Sequence, residues 1–229
     1  MSRYLHSFRR FLRFCKVGTA ARGFTLVELL VVSLIIIAIT TFILFQQSRF
    51  NSATLLRSLS YSVALSIREA QVFGTSVRES AIGSGVFARG YGVYFPAPSG
   101  STYQYYLFSD NNSNGQYDAG EELPVYTLGK GYSLSRFCAT LAGGATEHCS
   151  SGTSPTIDQL TIFFRRPHPE ACVATSQAAS ACQDGVGAVY SDAYIQLRSQ
   201  GSPDTRTVRV TSTGQIAVCA PNVTDFSTC

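Results

Sequence analysis

Acidic residues are absent from the first 23 positions of the chain, which carry six of its eighteen lysine and arginine residues. From Phe24 onward the sequence therefore has twelve basic and fourteen acidic side chains, a balance of −2. The formal charge of +4 for the whole sequence thus comes from its N-terminal segment. This distribution excludes a basic surface spread over the whole protein, of the kind that binds nucleic acid.

Charge is also scarce in the segment that follows. Residues 24–45 form a largely apolar run of 22 residues in which Glu28 is the only charged side chain. A helix of that length spans a bilayer. The arginines ahead of it predict that the N-terminal segment stays in the cytoplasm and that the chain after residue 45 is exported. The sequence thus predicts a single-pass membrane protein with an extracytoplasmic head.

Proline and glycine are absent between residues 24 and 73. Beyond the apolar run an apolar stripe recurs every four residues, with Leu56 and Ala70 beside it: Leu55, Leu59, Val63 and Ile67. This spacing is typical of a helix that packs one face against a core. We expect one helix over residues 24–73, with Gly74 as its C-terminal stop.

The remainder, residues 74–229, has the pattern of a β-rich head, so the predicted fold class is α+β. Runs rich in aromatic and β-branched residues predict strands at 86–95, 103–108, 123–128, 156–166, 193–199, 205–211 and 215–219. Ser212-Thr213-Gly214 predicts a hairpin between the last two. Residues 139–155 and 172–187 are rich in small residues and predict surface loops.

Six of the seven cysteines lie in the head, at Cys138, Cys149, Cys172, Cys182, Cys219 and Cys229. Six cysteines allow fifteen pairings. The spacing favours pairing of sequence neighbours, because a loop of about ten residues is easily closed. Free or metal-binding thiols are the alternative, but no CxxC pair occurs and the three histidines lack ligand spacing. Disulfides imply an oxidising compartment.

Residues 110–121 fit the twelve-residue calcium-loop pattern. Glycine stands at the sixth position, Gly115, where the loop turns sharply. The candidate ligands are Asp110, Asn112, Asn114, Gln116 through its carbonyl, Asp118 and Glu121. The flanking runs predict that this loop joins strands. The alternative is a turn without a metal, since Asn, Asp and Gly also suit turns. We expect a structural calcium ion bound at extracellular, millimolar concentrations.

The residues Gly23-Phe24-Thr25-Leu26-Val27-Glu28, ahead of a membrane run, resemble the class III signal of type IV pilins and type II secretion pseudopilins. The resemblance implies that a prepilin peptidase removes residues 1–23, cutting between Gly23 and Phe24, and methylates the amine of Phe24. It also implies that Glu28 neutralises the Phe24 amine of a neighbouring subunit during assembly. A plain signal anchor, with Glu28 at the membrane interface, is the alternative.

The head is similar to GspH/FimT-type minor pilins in two stretches, residues 66–71 and 208–216. This resemblance implies the type IV pilin fold and a minor subunit of a pilus or secretion filament. Its partners would be other subunits, the peptidase and the membrane assembly machinery. One alternative is a tip pilin that binds DNA or a surface, with Arg206 and Arg209 as candidate contacts. A monomeric membrane-anchored surface protein is another.

No catalytic constellation is evident in the sequence. His148 adjoins Cys149, and His168 lies in an Arg-Pro-His-Pro run, but neither belongs to a recognisable triad. We therefore expect no enzymatic activity.

Overall fold

A computed structural model describes residues 23–79, 83, 85, 87–98, 103–129, 131–144, 146–152, 156–183, 189–199, 203–223 and 229. The proposed leader, apart from Gly23, lies outside the described residues. The chain divides into two compact units, Met1–Gln47 and Ser48–Cys229. The second unit contains the predicted head, residues 74–229, together with residues 48–73, and from here on the whole unit is called the head.

One long helix, α1, runs from Leu26 to Thr75, 50 residues in all. Among the described residues it is the one helix long and apolar enough to cross a membrane. Within the head its buried residues follow helical spacing, since Leu56, Val63, Ile67 and Ala70 are each at most 1% exposed. Leu55, the first residue of the predicted stripe, is 48% exposed, so the buried stripe begins one residue later than expected.

The role predicted for Gly74 is wrong, because α1 continues past it to Thr75. A Cβ at this position would lie 2.5 Å from the carbonyl oxygen of Phe164 and 2.7 Å from its Cβ. Glycine is therefore needed at this position because the helix backbone lies against the strand that carries Phe164.

The head contains two antiparallel sheets of five strands each among the described residues. The first is built from β1 (Gly90–Pro96), β2 (Gln104–Ser109), β3 (Glu122–Thr127), β6 (Gln159–Arg165) and β7 (Ala171–Thr175). Its strand order is β3-β2-β1-β6-β7. Pro124 lies in β3, at the edge of the sheet, where a missing backbone N–H is tolerated.

The second sheet is built from β4 (Tyr132–Leu141), β5 (Glu147–Cys149), β8 (Tyr190–Ser199), β9 (Thr205–Thr211) and β10 (Ile216–Val218). Its strand order is β10-β9-β8-β4-β5. The predicted hairpin is confirmed: β9 and β10 pair antiparallel, and Gly214 in the turn between them has φ +85°.

A single main core joins the helix to both sheets. Its members include Ile67 from α1, Leu107 and Ile162 from the first sheet, and Phe137 and Ile195 from the second. Gln71 adds a polar link at the end of the helix, since its Nε2 donates to the carbonyls of Pro169 at 2.8 Å and Gly214 at 3.0 Å. The fold class is thus α+β, with an apolar N-terminal helix and an antiparallel β head.

The loop predictions for the head are wrong in part. Strand β4 covers a stretch that the sequence did not predict as a strand, and its end runs into the predicted loop 139–155, which also contains β5. Likewise β7 and a short 3-10 helix, Ala179–Cys182, occupy most of the described part of the predicted loop 172–187. Small residues suit these strands because they are buried: Ala139, Ala171 and Ala174 are at most 3% exposed.

Three disulfides join the head cysteines, and each links neighbours in the sequence: Cys138–Cys149, Cys172–Cys182 and Cys219–Cys229. The pairing favoured by the spacing is therefore the pairing in the structure. Cys138 and Cys149 lie directly opposite each other on β4 and β5. The Cys172–Cys182 bond joins β7 to the 3-10 helix.

Candidate functional sites

The N-terminal end of α1 is capped by a threonine. The hydroxyl of Thr25 accepts a hydrogen bond from the backbone N–H of Glu28 at 3.2 Å, which satisfies one of the free donors of the first turn. Glu28 lies in that first turn, where a negative charge is favoured by the helix dipole. Gly23 is exposed, and a Cβ there would meet nothing within 4 Å. Gly23, Phe24 and Glu28 are thus brought together at one end of α1.

Behind this end, every large apolar side chain in residues 24–45 is at least 47% exposed. The hydroxyls in the run bond to the preceding turn, as Ser33 does to Leu30 O and Thr41 to Ile37 O, each at 2.8 Å. Polar groups satisfied within the helix are compatible with a lipid surrounding. The surface is one that water would not stabilise, so it requires lipid or other apolar helices.

The predicted calcium loop lies between β2 and β3, so it joins strands as expected. Its backbone turns through three residues with positive φ: Ser113 at 66°, Gly115 at 71° and Gly120 at 100°. The N–H of Ser109 donates to the carbonyl of Glu121 at 3.0 Å, which closes the base of the loop. The first and last candidate ligands, Asp110 and Glu121, therefore lie at adjacent ends of paired strands.

Both carboxylates are buried, Asp110 at 1% exposure and Glu121 at 7%. The two oxygens of Asp110 accept hydrogen bonds from the backbone N–H groups of Asn114 and Gly115, each at 3.1 Å. Glu121 Oε1 accepts from Asn111 at 2.9 Å, and Glu121 Oε2 accepts from Asp118 at 3.3 Å. Backbone N–H groups thus orient both carboxylates. None of these hydrogen bonds comes from a positively charged side chain.

The remaining candidate ligands lie on the more open side of the loop. Asn112 Nδ2 and Asn114 Nδ2 both donate to Asp118 Oδ2, at 2.7 and 2.6 Å. Asn112 Oδ1 accepts from the N–H of Asn114 at 3.0 Å, and Asn114 Oδ1 accepts from the N–H of Gln116 at 2.8 Å. The structure therefore brings Asn112, Asn114 and Asp118 into one hydrogen-bonded group.

Burial destabilises the ionised forms of two loop carboxylates, Asp110 and Glu121. Burial raises the pKa of Asp110 above its usual range, an effect that its backbone hydrogen bonds and the nearby Arg89 oppose. Burial also raises the pKa of Glu121, and the negative charge of Asp110 raises it further. Two buried carboxylates that repel each other are stabilised by a divalent ion held between oxygen ligands. The donor set of carboxylate and amide oxygens fits calcium.

Tyr117, the eighth loop residue, anchors the loop to the first sheet through its ring. It stacks on Tyr94 at 4.5 Å and on Tyr106 at 5.4 Å between ring centroids, and it meets Phe108 edge-on at 5.8 Å. Its hydroxyl donates to Glu122 Oε1. The loop pattern does not specify the eighth side chain, so sequence reasoning missed this contact. Its signal was the presence of Tyr94 and Tyr106 in the two predicted strands.

A second group of potential ligand atoms is formed by Cys138, Glu147 and Cys149, which lie within 4.8 Å of one another. The two sulfurs are bonded to each other as a disulfide, so neither is a thiolate that could bind a metal. This group is therefore a structural disulfide with an exposed carboxylate beside it.

Both arginines proposed to contact DNA have partners within the head. Arg209 donates to Asp192 Oδ1 through Nε at 2.9 Å and through Nη2 at 2.8 Å, and it lies over the ring of Tyr194. Arg206 donates to the carbonyl of Cys219 at 3.3 Å. The two side chains are three residues apart on β9, so they point to opposite faces. They do not form one anion-binding track.

The two head histidines differ in their surroundings. His148 Nδ1 lies 3.0 Å from the hydroxyl of Tyr190, which also lies 2.8 Å from the hydroxyl of Thr175. His168 lines a cleft beside the Cys172–Cys182 disulfide. The neighbour of His148 in sequence, Cys149, is held in a disulfide. The absence of an enzymatic activity stays a prediction.

Comparison with known proteins gave no match: no protein-family model, curated protein or solved structure matches the chain.

Proposed function

We propose that the chain is a subunit, of the minor-pilin or pseudopilin kind, of a type IV pilus or type II secretion filament. In this proposal a prepilin peptidase cuts between Gly23 and Phe24 and methylates Phe24, and the head lies outside the cytoplasm. The observation that carries the proposal is the exposed apolar surface of residues 24–45, which has one carboxylate, Glu28, in its first turn.

The chemistry of that surface supports assembly. A carboxylate in an apolar membrane segment is unfavourable unless it finds a partner of opposite charge. Cleavage after Gly23 would create such a charge on the amine of Phe24, which would be the first residue of the mature chain, with Glu28 as the fifth. The Glu28 side chain is exposed at the start of α1. In the proposed filament the carboxylate of one subunit neutralises the amine of the next.

Calcium in the loop 110–121 has a structural part in this proposal. Asp110 and Glu121 would hold the ion from the buried side, and Asn112, Asn114, Asp118 and the carbonyl of Gln116 from the open side. When bound, the ion supplies a divalent charge that neutralises the two buried carboxylates. The loop's own residues fix its ends to β2 and β3. Calcium would therefore stiffen a head exposed to the extracytoplasmic medium.

The assembly proposal is tested with Glu28→Gln in the full chain, expressed in its native host. We expect a mature, membrane-inserted subunit that is lost from filaments, because the amide cannot neutralise a neighbouring amine. Immunoblots of sheared filaments and of membranes measure the two pools. The matched control is Glu147→Gln, which changes an exposed head carboxylate. Equal recovery of the two variants in filaments would overturn the assembly role of Glu28, whereas absence of the parent chain from filaments would favour a monomeric anchored protein.

A further inference from the structure

The calcium loop and the Cys172–Cys182 disulfide share a small second core in the head. Its buried members are Phe108, Phe163, Ala174, Ala181 and Cys182. Tyr117 from the calcium loop and Cys172 from β7 pack against this group as partly buried neighbours. The main core, which contains the helix, is a separate cluster. The loop and the disulfide are thus packed against the same few side chains although they lie far apart in sequence.

The loop and the disulfide are in close contact at Gly115. A Cβ added to this glycine would lie 2.5 Å from the carbonyl oxygen of Cys182 and 3.0 Å from its Cβ. Gly115 also has φ +71°, so glycine is required here both for conformation and for space. The backbone of the loop apex therefore rests directly on the cysteine.

This contact lies next to the backbone N–H groups that orient Asp110, a candidate calcium ligand. The N–H of Gly115 donates to Asp110 Oδ2 at 3.1 Å, and the neighbouring N–H of Asn114 donates to Asp110 Oδ1. A shift of Cys182 would therefore move the donors that orient the most deeply buried ligand. Conversely, a loop held by an ion would hold Gly115 against Cys182.

The residues of this disulfide border a surface cleft. A cleft of about 300 Å³ is lined by Cys172 and Cys182 together with Arg165, His168 and Glu170. A small dithiol entering this cleft can reduce the bond: one thiolate attacks a sulfur, the S–S bond breaks, and the second thiolate releases the mixed disulfide. Two electrons pass to the protein, which gains two thiols, while the dithiol becomes a disulfide.

We propose that Cys182, held by its bond to Cys172, positions the calcium loop, so that the disulfide and the calcium site are thermodynamically linked. Calcium then protects this disulfide from reduction, and the disulfide tightens calcium binding by the same factor. The inference rests on the calcium site proposed above. The other two disulfides lie outside the second core and serve as internal controls.

The test uses the full chain purified in detergent and equilibrated in mixtures of reduced and oxidised dithiothreitol, either with about 10 mM calcium or with a chelator. Freed cysteines are alkylated and counted for each disulfide by peptide mass spectrometry. We expect calcium to shift the equilibrium of Cys172–Cys182 about tenfold towards the disulfide and to leave that of Cys138–Cys149 nearly unchanged. Calorimetry on the same samples measures calcium binding itself.

Two glycine variants give a matched pair. Gly115→Ala places a methyl group against Cys182, whereas Gly120→Ala strains a loop backbone at φ +100° but meets nothing within 4 Å. We expect Gly115→Ala to lose most of the calcium protection and Gly120→Ala to keep it. In the reverse direction, a Cys172→Ser and Cys182→Ser double variant should bind calcium about tenfold more weakly.

The outcomes separate the two claims. No calcium binding by calorimetry overturns the proposed calcium site. Binding without any change in the reduction equilibrium overturns the linkage and leaves the site standing. Equal protection of all three disulfides also overturns the linkage, because it reports stabilisation of the whole head. If the double variant does not fold, the reduction equilibria of the native chain and the glycine pair still decide.

Discussion

The two parts of α1 belong to one continuous helix but have opposite surroundings. In residues 24–45 every large apolar side chain is at least 47% exposed, whereas Leu56, Val63 and Ile67 in the head are at most 1% exposed. The first part is apolar on all sides and the second on one stripe, which are the patterns of a membrane helix and of a helix packed on a core. The contrast separates an exposed apolar segment from a segment that packs in the main core of the head.

The carboxylates of the same two regions also differ in their exposure. The apolar run has one carboxylate, Glu28, and it is exposed at the end of the helix. The head buries two carboxylates, Asp110 and Glu121, inside a loop lined with backbone donors. Burial of a carboxylate without a partner of opposite charge is unfavourable, which applies to Asp110 and Glu121. We propose the amine of a second subunit for Glu28 and calcium for the loop.

The largest expected effect is on the free energy of unfolding, when isoleucine is replaced by alanine in each part of the helix. Ile67→Ala should lower the free energy of unfolding of the head by about 2–5 kcal/mol, because it leaves a cavity in the main core. Ile36→Ala, at a side chain that is 54% exposed, should leave it unchanged within about 0.5 kcal/mol. Denaturant unfolding of the full chain in detergent, followed by tyrosine fluorescence, measures both. Equal losses would mean that the apolar run is packed on the head.

The next effect concerns the buried carboxylates. At neutral pH about 10 mM calcium should stabilise the head by about 1–3 kcal/mol, the value for a site of roughly 0.1–1 mM affinity. Burial raises the pKa of both Asp110 and Glu121, so the calcium-free head is most stable below their ordinary pKa and loses that stability as pH rises through the raised values.

Calcium binds the ionised carboxylates, so its stabilising effect should grow over the same pH window and vanish near about pH 4. Thermal unfolding of the full chain with calcium or chelator, from acid to neutral pH, measures this difference. Asp110→Asn should abolish the calcium effect, whereas Asp158→Asn, outside the loop, should keep it. A calcium effect of equal size at acid and neutral pH would contradict binding by these carboxylates.

The smallest expected effect is at the head surface. Arg209→Ala removes the two hydrogen bonds to Asp192, and we expect a loss of about 0.2–1 kcal/mol, as is usual for partly exposed ion pairs. High salt should reduce the difference between this variant and the parent chain. If Arg209→Ala instead abolished binding of the full chain to duplex DNA at low salt while leaving stability unchanged, the tip-pilin alternative would regain support.

Local patterns predicted much of the molecule because their causes are local. The spacing of Val63, Ile67 and Ala70 indicates the buried face of the helix. The spacing of the cysteines indicates short loops that close easily. The calcium pattern likewise records a turn, and Gly115 has the positive φ that the pattern requires.

The features that the sequence did not reveal depend on contacts between distant segments. Strand β4 contains Ser133, Ser135 and Arg136, which are not typical of strands, and it is held by its pairing with β8 about 60 residues later. The close contact of Gly74 with Phe164 joins residues that are far apart in sequence, so no local pattern predicts it. The same holds for Gly115 and Cys182, whose contact requires the complete head.

The central claim is most directly tested by the intact mass of the mature chain, isolated from membranes and filaments of its native host. We predict a chain that begins at Phe24, carries one added methyl group at its N-terminus, and is lighter by six hydrogens for three disulfides. A mature chain that retains residues 1–23, or that begins at Phe24 without the methyl group, would contradict the account.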